Sequence, residues 1–320
     1  MVEDSPRERC EASTSIVSPF RVNGRIPFKE GRTSSYVVCS VSSGSLLVSQ
    51  TLSGTTELVR AAPVDFTISS SSRRCVGYYG RKRRRHVPCP SSRMAERGKQ
   101  CTRCFFDAGF IGVHQVGRTG ELPSDPDERA YVLSPHFLYL AAFGTDVLKV
   151  GITSESRGFD RLIEQGAHAA VRIGTFADGI VVRQAEDFVS SNFPFVQTVK
   201  KDKKTQIVSA GGSSKQSLEA LLPFVEQVAD ACASFALNVD VVHWESTSPL
   251  LDGKFRDLYP LGLVDDSSHR WNIAAQLGPT AQLDFVTGSF VVDVSKLESM
   301  TVCPDVDGRW TCPQPKLSLF

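Results

Sequence analysis

Four cysteines in the first third of the chain have the type and spacing of metal ligands. Cys101 and Cys104 are separated by two residues, and the preceding cysteines are Cys89 and Cys75. Thiolates bind zinc tetrahedrally, and a Cys-x2-Cys pair on a turn commonly supplies two ligands. Four cysteines favour a closed, structural zinc site. Because the spacing of the other pair is irregular, His86 in place of Cys75 stays open as an alternative ligand.

The segment that carries these cysteines is strongly basic. Between positions 73 and 104 it holds eleven arginines and lysines against one acid, Glu96, although the whole chain has a net charge of +1. Such a segment cannot bury an apolar core and needs a metal to fold. Near Tyr78 and Tyr79 the charges suit phosphate contacts combined with base stacking. A solvated loop, or docking on the acidic remainder of the protein, is the other interpretation. Five of the cations are consecutive: Arg81, Lys82, Arg83, Arg84 and Arg85.

The apolar pattern after residue 130 predicts a unit with the element order β-β-α-β-α. Two apolar runs, 136–144 and 146–153, meet at Gly144–Thr145 and predict a hairpin. A helix is predicted over residues 158–170, where apolar residues recur at helical spacing. The later elements are a strand at 171–176, a strand-like run at 179–182 and a helix at 183–193.

Composition divides the chain into the units of an α+β protein. The Gly/Ser-rich stretch 210–215 is the clearest boundary, and a helix with Ser217 as its N-cap is expected after it. Residues 198–206 suggest a charged loop, and residues 105–116 a strand. The predicted units are a disordered N-terminus (1–18), a small β unit (19–70), the basic zinc-binding module (71–118), the β-β-α-β-α core (130–209) and a C-terminal α+β region (215–320).

The hairpin and helix after residue 135 resemble the GIY-YIG endonuclease superfamily. Leu138-Tyr139-Leu140 occupies the place of that family's first signature, and KVGIT at Lys149–Thr153 the place of its second. Over roughly residues 73–302 the chain also resembles domain-of-unknown-function family 2797. The segments that carry this second resemblance are RRRHVPCPS, QCTRCFF, HFLYLAAFG, LKVGIT, RLIEQGA and GPTAQLDFVTG. The first resemblance implies a GIY-YIG-like core and phosphodiester hydrolysis.

The GIY-YIG resemblance also implies roles for individual residues. Tyr139 would help to deprotonate a water molecule. Arg161, or alternatively Arg157, would hold the phosphate, because a guanidinium matches phosphate oxygens. Glu186 would bind one Mg²⁺ or Mn²⁺, since these hard cations prefer carboxylate oxygens.

The chain departs from the family pattern in both signatures. Lys149 replaces the tyrosine of the second, and the first lacks its glycine. A lysine at that position can still orient water or bind phosphate. Each implied residue also has an ordinary alternative, in which Tyr139 only packs on a strand, Arg161 is a helix-surface charge and Glu186 pairs with Arg183.

Together these features predict a zinc-containing nucleic-acid-binding protein with divalent-metal-dependent nuclease (hydrolase) activity. Two alternatives stay open: a catalytically inactive GIY-YIG-like binding or regulatory module, and an enzyme of specialised metabolism acting on a small anionic substrate. The apolar runs are too short to span a membrane, and the N-terminus lacks the apolar core of a secretory signal. We therefore expect a reducing, cytoplasmic location and no membrane partner.

Overall fold

The protein is a mixed α+β structure with four small sheets and six α-helices among the residues that the structure describes. The computed structural model describes residues 36–42, 45–52, 55–61, 66–70, 72–80, 85–108, 116–117, 119–251, 259–260, 273–285 and 288–304. The predicted disorder of residues 1–18 lies outside them. Within the described residues, no helix is both long and apolar enough to cross a membrane.

A four-stranded antiparallel sheet forms the centre of the molecule. Its strands are β7 (His136–Phe143), β8 (Val147–Ser154), β9 (Ala169–Phe176) and β10 (Asn238–Glu245). Their order is β10-β9-β7-β8, so β7 pairs with both β8 and β9. All eight residues of β7 are buried. This explains why its sequence is a nearly unbroken apolar run, which is typical of a strand covered on both faces.

Helices cover the two faces of the central sheet. They are α3 (Asp160–Gln165), α4 (Gly179–Asn192) and α6 (Ser214–Cys232). Alternate residues of β7 point to opposite faces. Leu138 and Leu140 belong to a core with α4 and α6, whereas Phe137 and Tyr139 belong to a second core with Leu162 of α3. Tyr139 therefore lies on the α3 side of the sheet.

Two further sheets pack against each other through a common apolar core. The five-stranded sheet has the order β3-β2-β1-β15-β4 and the smaller one the order β11-β14-β13-β12. Strand β15 lies between β1 and β4, so residues near the C-terminus complete a sheet begun near the N-terminus. The strands are β1 (Tyr36–Ser42), β2 (Ser45–Leu52), β3 (Thr55–Ala61), β4 (Phe66–Ser70), β11 (Tyr259–Pro260), β12 (Ile273–Leu277), β13 (Thr280–Phe285), β14 (Gly288–Asp293) and β15 (Thr301–Pro304).

The remaining elements are short. The cysteine segment contributes the two-stranded sheet β5-β6 and the helix α1. Helix α2 begins with Pro126 and is capped by Asp125, which accepts from two backbone amides. Helix α5 packs against β13 and β14. The bounds are β5 (Tyr78–Gly80), β6 (Arg85–Val87), α1 (Thr102–Asp107), α2 (Pro126–Val132), α5 (Lys201–Ala210) and the 3-10 turns Glu155–Arg157, Pro249–Leu251 and Val294–Leu297.

Two segments have a secondary structure that differs from the prediction. Residues 179–182, predicted as strand-like, form the first turn of α4, because Asp178 accepts hydrogen bonds of 2.8 Å from the amides of Ile180 and Val181. Residues 201–206, predicted as part of a charged loop, begin α5. Lys204 and Val208 are buried on one side of α5, so a charged sequence conceals an amphipathic helix.

Two local predictions near other helices also differ from the structure. Phe105 and Phe106 lie in α1 rather than in a strand, and residues 109–115 lie outside the described residues. The N-cap of α6 is Ser213 rather than Ser217, because Ser213 Oγ accepts from the amide of Gln216 at 3.1 Å.

The packing crosses the predicted boundary at residues 210–215. Helix α6 contributes Leu221 and Val228 to the core under the central sheet, and β10 adds the fourth strand to that sheet. Residues up to Glu245 therefore complete the unit that begins with β7.

Candidate metal centre and central-sheet site

Four cysteine sulfurs lie together in the basic segment. The Sγ atoms of Cys75, Cys89, Cys101 and Cys104 are all within 4.8 Å of one another, and all four residues are buried. Sulfurs around a tetrahedral zinc ion, at about 2.3 Å from the metal, lie roughly 3.8 Å apart. The observed cluster is close to this spacing, so its geometry fits a metal ion such as zinc.

The backbone around Gly77 brings Cys75 towards Cys89. Gly77 has a φ of +80°, and its amide donates to Cys75 Sγ at 3.3 Å. A methyl group at position 77 would lie 2.8 Å from the amide nitrogen of Cys89 and would overlap the carbonyl oxygen of Val87. Only glycine combines this conformation with so close an approach of two chain segments.

The other two sulfurs come from the start of α1. Cys101 is the N-cap residue and Cys104 is the buried residue of the helix. Glu96 fixes this helix start, because its carboxylate accepts a hydrogen bond of 3.1 Å from the amide of Thr102. A carboxylate at a helix N-terminus is also favoured by the helix dipole.

Thiol chemistry supports the fit to a divalent cation. Burial raises the pKa of Cys75 to about 11, and burial together with the neighbouring thiols raises the pKa of Cys104. Thiolates are the form that binds metal, so a cation is needed to make four buried thiolates favourable at one point. A compact group of thiols without a cation would have no such gain.

His86, the alternative ligand, is not part of this group. The sulfur of Cys75 takes the fourth position in the cluster. Burial lowers the pKa of His86 to about 4, and its Nδ1 has no hydrogen-bond partner among the described residues. The structure therefore favours the four-cysteine set over the set with histidine.

The consecutive cations cannot be placed in the same way. Residues 81–84, with Arg81, Lys82, Arg83 and Arg84, lie outside the described residues. The backbone of Arg85 belongs to β6, opposite Gly80. Their predicted role in phosphate binding stays a prediction.

A second group of ionisable side chains lies at the central sheet, around Gly151. Gly151 of β8 pairs with Tyr139 of β7. A methyl group at position 151 would overlap Tyr139 Oη and would lie 2.7 Å from Lys149 Nζ. The absence of a side chain at Gly151 is thus what lets the phenol and the ammonium group meet above the strand.

Both groups at Gly151 are strongly desolvated. Burial raises the pKa of Tyr139 to about 12, while the hydrogen bond from Gln165 and the charge of Arg161 oppose that rise. Burial lowers the pKa of Lys149 to about 8, and Glu186 opposes that change. Lys149 is only 7% exposed, and its Nζ donates to the carbonyl of Val150 at 2.8 Å.

Glu186 lies on α4 and is buried beside Arg183. Arg183 Nη1 donates to Glu186 Oε2 at 2.6 Å, and Nη2 contacts both Asp187 and Gln197. Burial raises the pKa of Glu186, with Arg183 and Lys149 acting in the opposite direction. The pairing of Glu186 with Arg183 that the sequence offered as an alternative is therefore present, and Lys149 belongs to the same electrostatic group.

The two candidate phosphate-binding arginines share one acid. Arg161 Nη1 lies 3.5 Å from Glu164 Oε2, and Arg157 pairs with the same carboxylate oxygen. Both guanidinium groups are partly exposed, yet they lower the pKa of Tyr139. Arg161 also lowers the pKa of Lys149. The arginines thus lie between solvent and the buried tyrosine.

Lys204 and Gln165 belong to this group although they were not expected there. Gln165 Nε2 donates to Tyr139 Oη at 2.8 Å, and the carbonyl of Gln165 accepts from Lys204 Nζ at 2.7 Å. Lys204 is 8% exposed, and burial lowers its pKa to about 7, with contributions from Lys149 and Arg161. The signal in the sequence was the spacing of Lys204 and Val208 on one face of α5.

The C-terminal sheet touches this group through two glycines. Gly166, directly after Gln165, packs against Gly278 in the turn between β12 and β13. A methyl group at position 278 would lie 2.5 Å from the Cα atom of Gly166. The turn therefore presses on the chain at the residue that holds the tyrosine hydroxyl.

The described residues thus bring together the catalytic candidates selected from the sequence. Tyr139 and Lys149 meet at Gly151, while Glu186 and Arg161 influence the pKa of both. The four cysteines form a separate group. Among the described residues, no other set of three or more His, Cys, Asp or Glu side chains is close enough to hold a metal ion.

Comparison with known proteins gives one match. Residues 91–243 match the model of a family described as "Protein of unknown function (DUF2797)". The matched range contains two of the four cysteines and the whole central sheet. It supports the resemblance to this family that the sequence segments indicated. No curated protein and no solved structure matches the chain.

Proposed function

We propose that this protein is a zinc-containing nucleic-acid-binding protein whose central sheet carries a divalent-metal-dependent phosphodiesterase site. The observation that carries the proposal is the convergence of Tyr139 Oη and Lys149 Nζ above Gly151. Glu186 and Arg161 affect the pKa of both groups. Side chains suited to activating water, binding phosphate and holding a cation therefore share one place. The resemblance of the hairpin 136–153 to the GIY-YIG superfamily supports the same reaction.

Each residue has a role that follows from its surroundings. Tyr139 Oη accepts from Gln165, so its own proton points away from that partner and can bond a water or phosphate oxygen. Lys149, with a pKa of about 8, is mostly charged near neutral pH and can stabilise a phosphate. Arg161 offers a guanidinium fork at the solvent side. A divalent cation bound by Glu186 would neutralise charge on the phosphate.

The fit to a divalent cation rests on a single carboxylate. Mg²⁺ is commonly held by one or two carboxylates together with water and substrate phosphates. Glu186 meets that minimum, but Arg183 contacts it at 2.6 Å. Cation binding therefore requires Arg183 to exchange Glu186 for its other acceptors, Asp187 and Gln197.

The cysteine group would act as a structural zinc site in the nucleic-acid-binding module. Four sulfur ligands leave no open position for water, which is the arrangement of structural rather than catalytic zinc. The zinc would hold β5, β6 and α1 together, since this basic segment has little apolar core of its own. The cations that the module displays would bind the phosphate backbone.

A catalytically inactive binding module is the second candidate. The ion pair between Arg183 and Glu186 favours it, because that pair satisfies the carboxylate without a cation. Lys149 in place of the signature tyrosine points in the same direction. In this case the group around Gly151 would bind a phosphate without cleaving the bond.

Single-turnover cleavage separates the two candidates. Zinc-loaded protein in excess is mixed with labelled single-stranded and duplex DNA and RNA, in the presence of Mg²⁺, Mn²⁺ or EDTA. We expect cleavage that needs the divalent cation and falls at least ~10²-fold in Glu186→Gln. Glu219→Gln, an exposed glutamate on α6, is the matched control and should leave the rate unchanged.

The binding measured in the same samples decides between the outcomes. Cleavage by the wild type and loss in Glu186→Gln, with equal binding by both, supports the phosphodiesterase. Binding without cleavage under any condition supports the inactive module. Cleavage that survives Glu186→Gln would show a contaminating nuclease and remove the assigned site.

A further inference from the structure

Aromatic rings are exposed on the zinc module beside its cations. Phe106 is 65% exposed, Tyr79 is 51% exposed and Phe105 is 42% exposed. The two phenylalanines lie in α1 and Tyr79 lies in β5, and these two elements are in contact. Exposed rings in such a small unit are costly in water, so their position calls for a ligand that covers them.

The rings are already associated with positive charge. The guanidinium of Arg97 lies 5.0 Å from the centre of the Phe105 ring and 5.4 Å from that of Phe106. The two rings meet edge to face, with centroids 5.8 Å apart. Because Phe106 is mostly exposed, its ring is accessible to a flat partner while Arg97 stays within reach of a phosphate.

Further cations surround this group. Arg93 and Arg103 are exposed, and Arg103 contacts Asp107 only at 3.6 Å. The acid Glu96 is engaged with Thr102 at the start of α1. The module therefore offers rings and guanidinium groups together, which is the combination that binds nucleobases and phosphates.

We propose that the zinc module binds single-stranded nucleic acid by stacking bases on Phe106, Phe105 and Tyr79, with Arg93 and Arg97 on the phosphates. The inference rests on the proposed function and specifies its substrate class. A duplex keeps its base faces stacked inside, whereas a single strand can place them on protein rings. Stacking uses the faces of the bases, so the module binds DNA and RNA strands alike.

The shape of the module argues against duplex recognition. Helix α1 has six residues, which is about nine ångströms of helix. Reading base edges in the major groove uses a helix or ribbon inserted along the groove. The exposed rings, in contrast, need only unpaired bases. An acidic protein surface would satisfy the cations but would give the rings no flat partner.

The test compares an ordinary oligonucleotide with an abasic one of equal length. The abasic strand keeps every phosphate and lacks the bases. Zinc-loaded full-length protein is titrated with each labelled strand, and with the matching duplex, by fluorescence anisotropy. We expect wild type to bind the intact strand more tightly than either other ligand. Phe106→Ala should weaken binding of the intact strand by roughly 5- to 150-fold and leave the abasic strand unchanged.

Three variants make the result specific. Phe106→Trp keeps a ring and should retain preference for the intact strand. Phe188→Ala, an exposed phenylalanine on α4, should change neither affinity. An Arg93→Gln/Arg97→Gln variant should weaken both strands and reduce the dependence of affinity on salt, with a slope of about 0.7 per lost phosphate contact on single strands. Zinc content and circular dichroism of each variant report folding.

The outcomes distinguish this inference from the proposed function. If intact and abasic strands bind equally, with salt-dependent affinity, stacking is excluded while nucleic-acid binding stands. If the duplex binds as tightly as the single strand, the assigned substrate class is wrong. If none of the ligands binds, both proposals fail.

Discussion

The hydroxyl of Tyr139 accepts a hydrogen bond from Gln165 Nε2 at 2.8 Å, and the same glutamine accepts from Lys204 through its carbonyl at 2.7 Å. Gly166, the next residue, packs against Gly278 of the C-terminal sheet. One residue thus connects the buried tyrosine of the central sheet to two elements that lie far from it in sequence.

Replacing Gln165 by leucine should disturb the orientation of Tyr139. The phenol would lose its donor in a buried place, which costs about 1–3 kcal/mol in the free energy of unfolding. If Tyr139 activates water, the single-turnover cleavage rate should also fall. Gln216→Leu, an exposed glutamine on α6, is the control. Unchanged stability and rate in Gln165→Leu would contradict the assigned hydrogen bond.

Adding one methyl group at position 151 should separate Tyr139 from Lys149. The methyl would lie 2.7 Å from Lys149 Nζ and overlap Tyr139 Oη, which Gln165 holds in place. Overpacking of this kind typically costs 1–3 kcal/mol. We expect Gly151→Ala to lower the free energy of unfolding by about this amount in urea denaturation. A Gly151→Ala protein as stable as wild type would show that the two side chains do not meet there.

The buried lysines should make stability rise with pH. Burial lowers the pKa of Lys204 to about 7 and that of Lys149 to about 8, from an ordinary value of 10.5. Above pH 7 the folded protein therefore begins to lose protons that the unfolded chain keeps until about pH 10.4. Since the unfolded state then binds more protons, the free energy of unfolding increases with pH in this window, by at most ~1.4 kcal/mol per pH unit for each lysine.

Lys204→Met tests this dependence by urea denaturation between pH 6.5 and 9. Methionine keeps an unbranched apolar side chain and has no proton to lose, so the slope with pH should decrease. Lys203→Met, the exposed neighbour on α5, is the matched control and should keep the wild-type slope. A slope that is the same in Lys204→Met and wild type would mean that Lys204 is not desolvated.

Removal of two sulfurs should remove the metal and unfold the basic module. We expect one zinc ion per wild-type chain by elemental analysis and none in Cys101→Ser/Cys104→Ser, because two remaining thiolates cannot complete the tetrahedron. Cys39→Ser changes a buried cysteine outside the group and should keep the zinc. Zinc-free wild-type protein that stays folded would argue against a structural metal.

Local patterns were sufficient to predict the cysteine group and the central strands. The spacing of Cys101 and Cys104 and the unbroken apolar run of β7 are properties of consecutive residues, so they are visible without the fold. The same holds for the selection of Tyr139 and Glu186, which came from a family resemblance; their chemical roles remain predictions.

Contacts between distant segments could not be predicted in this way. Lys204 lies in a run of charges and looks solvent-exposed, because its burial depends on packing α5 between the C-terminal sheet and Phe143 of β7. The contact of Gly166 with Gly278 joins residues more than a hundred positions apart. The place of β15 between β1 and β4 likewise depends on long-range pairing, which no local pattern records.

The proposed function is tested most directly by the salt dependence of nucleic-acid binding. Zinc-loaded wild type and the Cys101→Ser/Cys104→Ser variant are titrated with labelled DNA and RNA over a range of salt concentrations. We predict binding by the wild type whose logarithmic affinity falls linearly with the logarithm of salt concentration. The variant should lose most of that binding. No binding of any DNA or RNA by the zinc-loaded wild type, even at the lowest salt, would contradict the proposal.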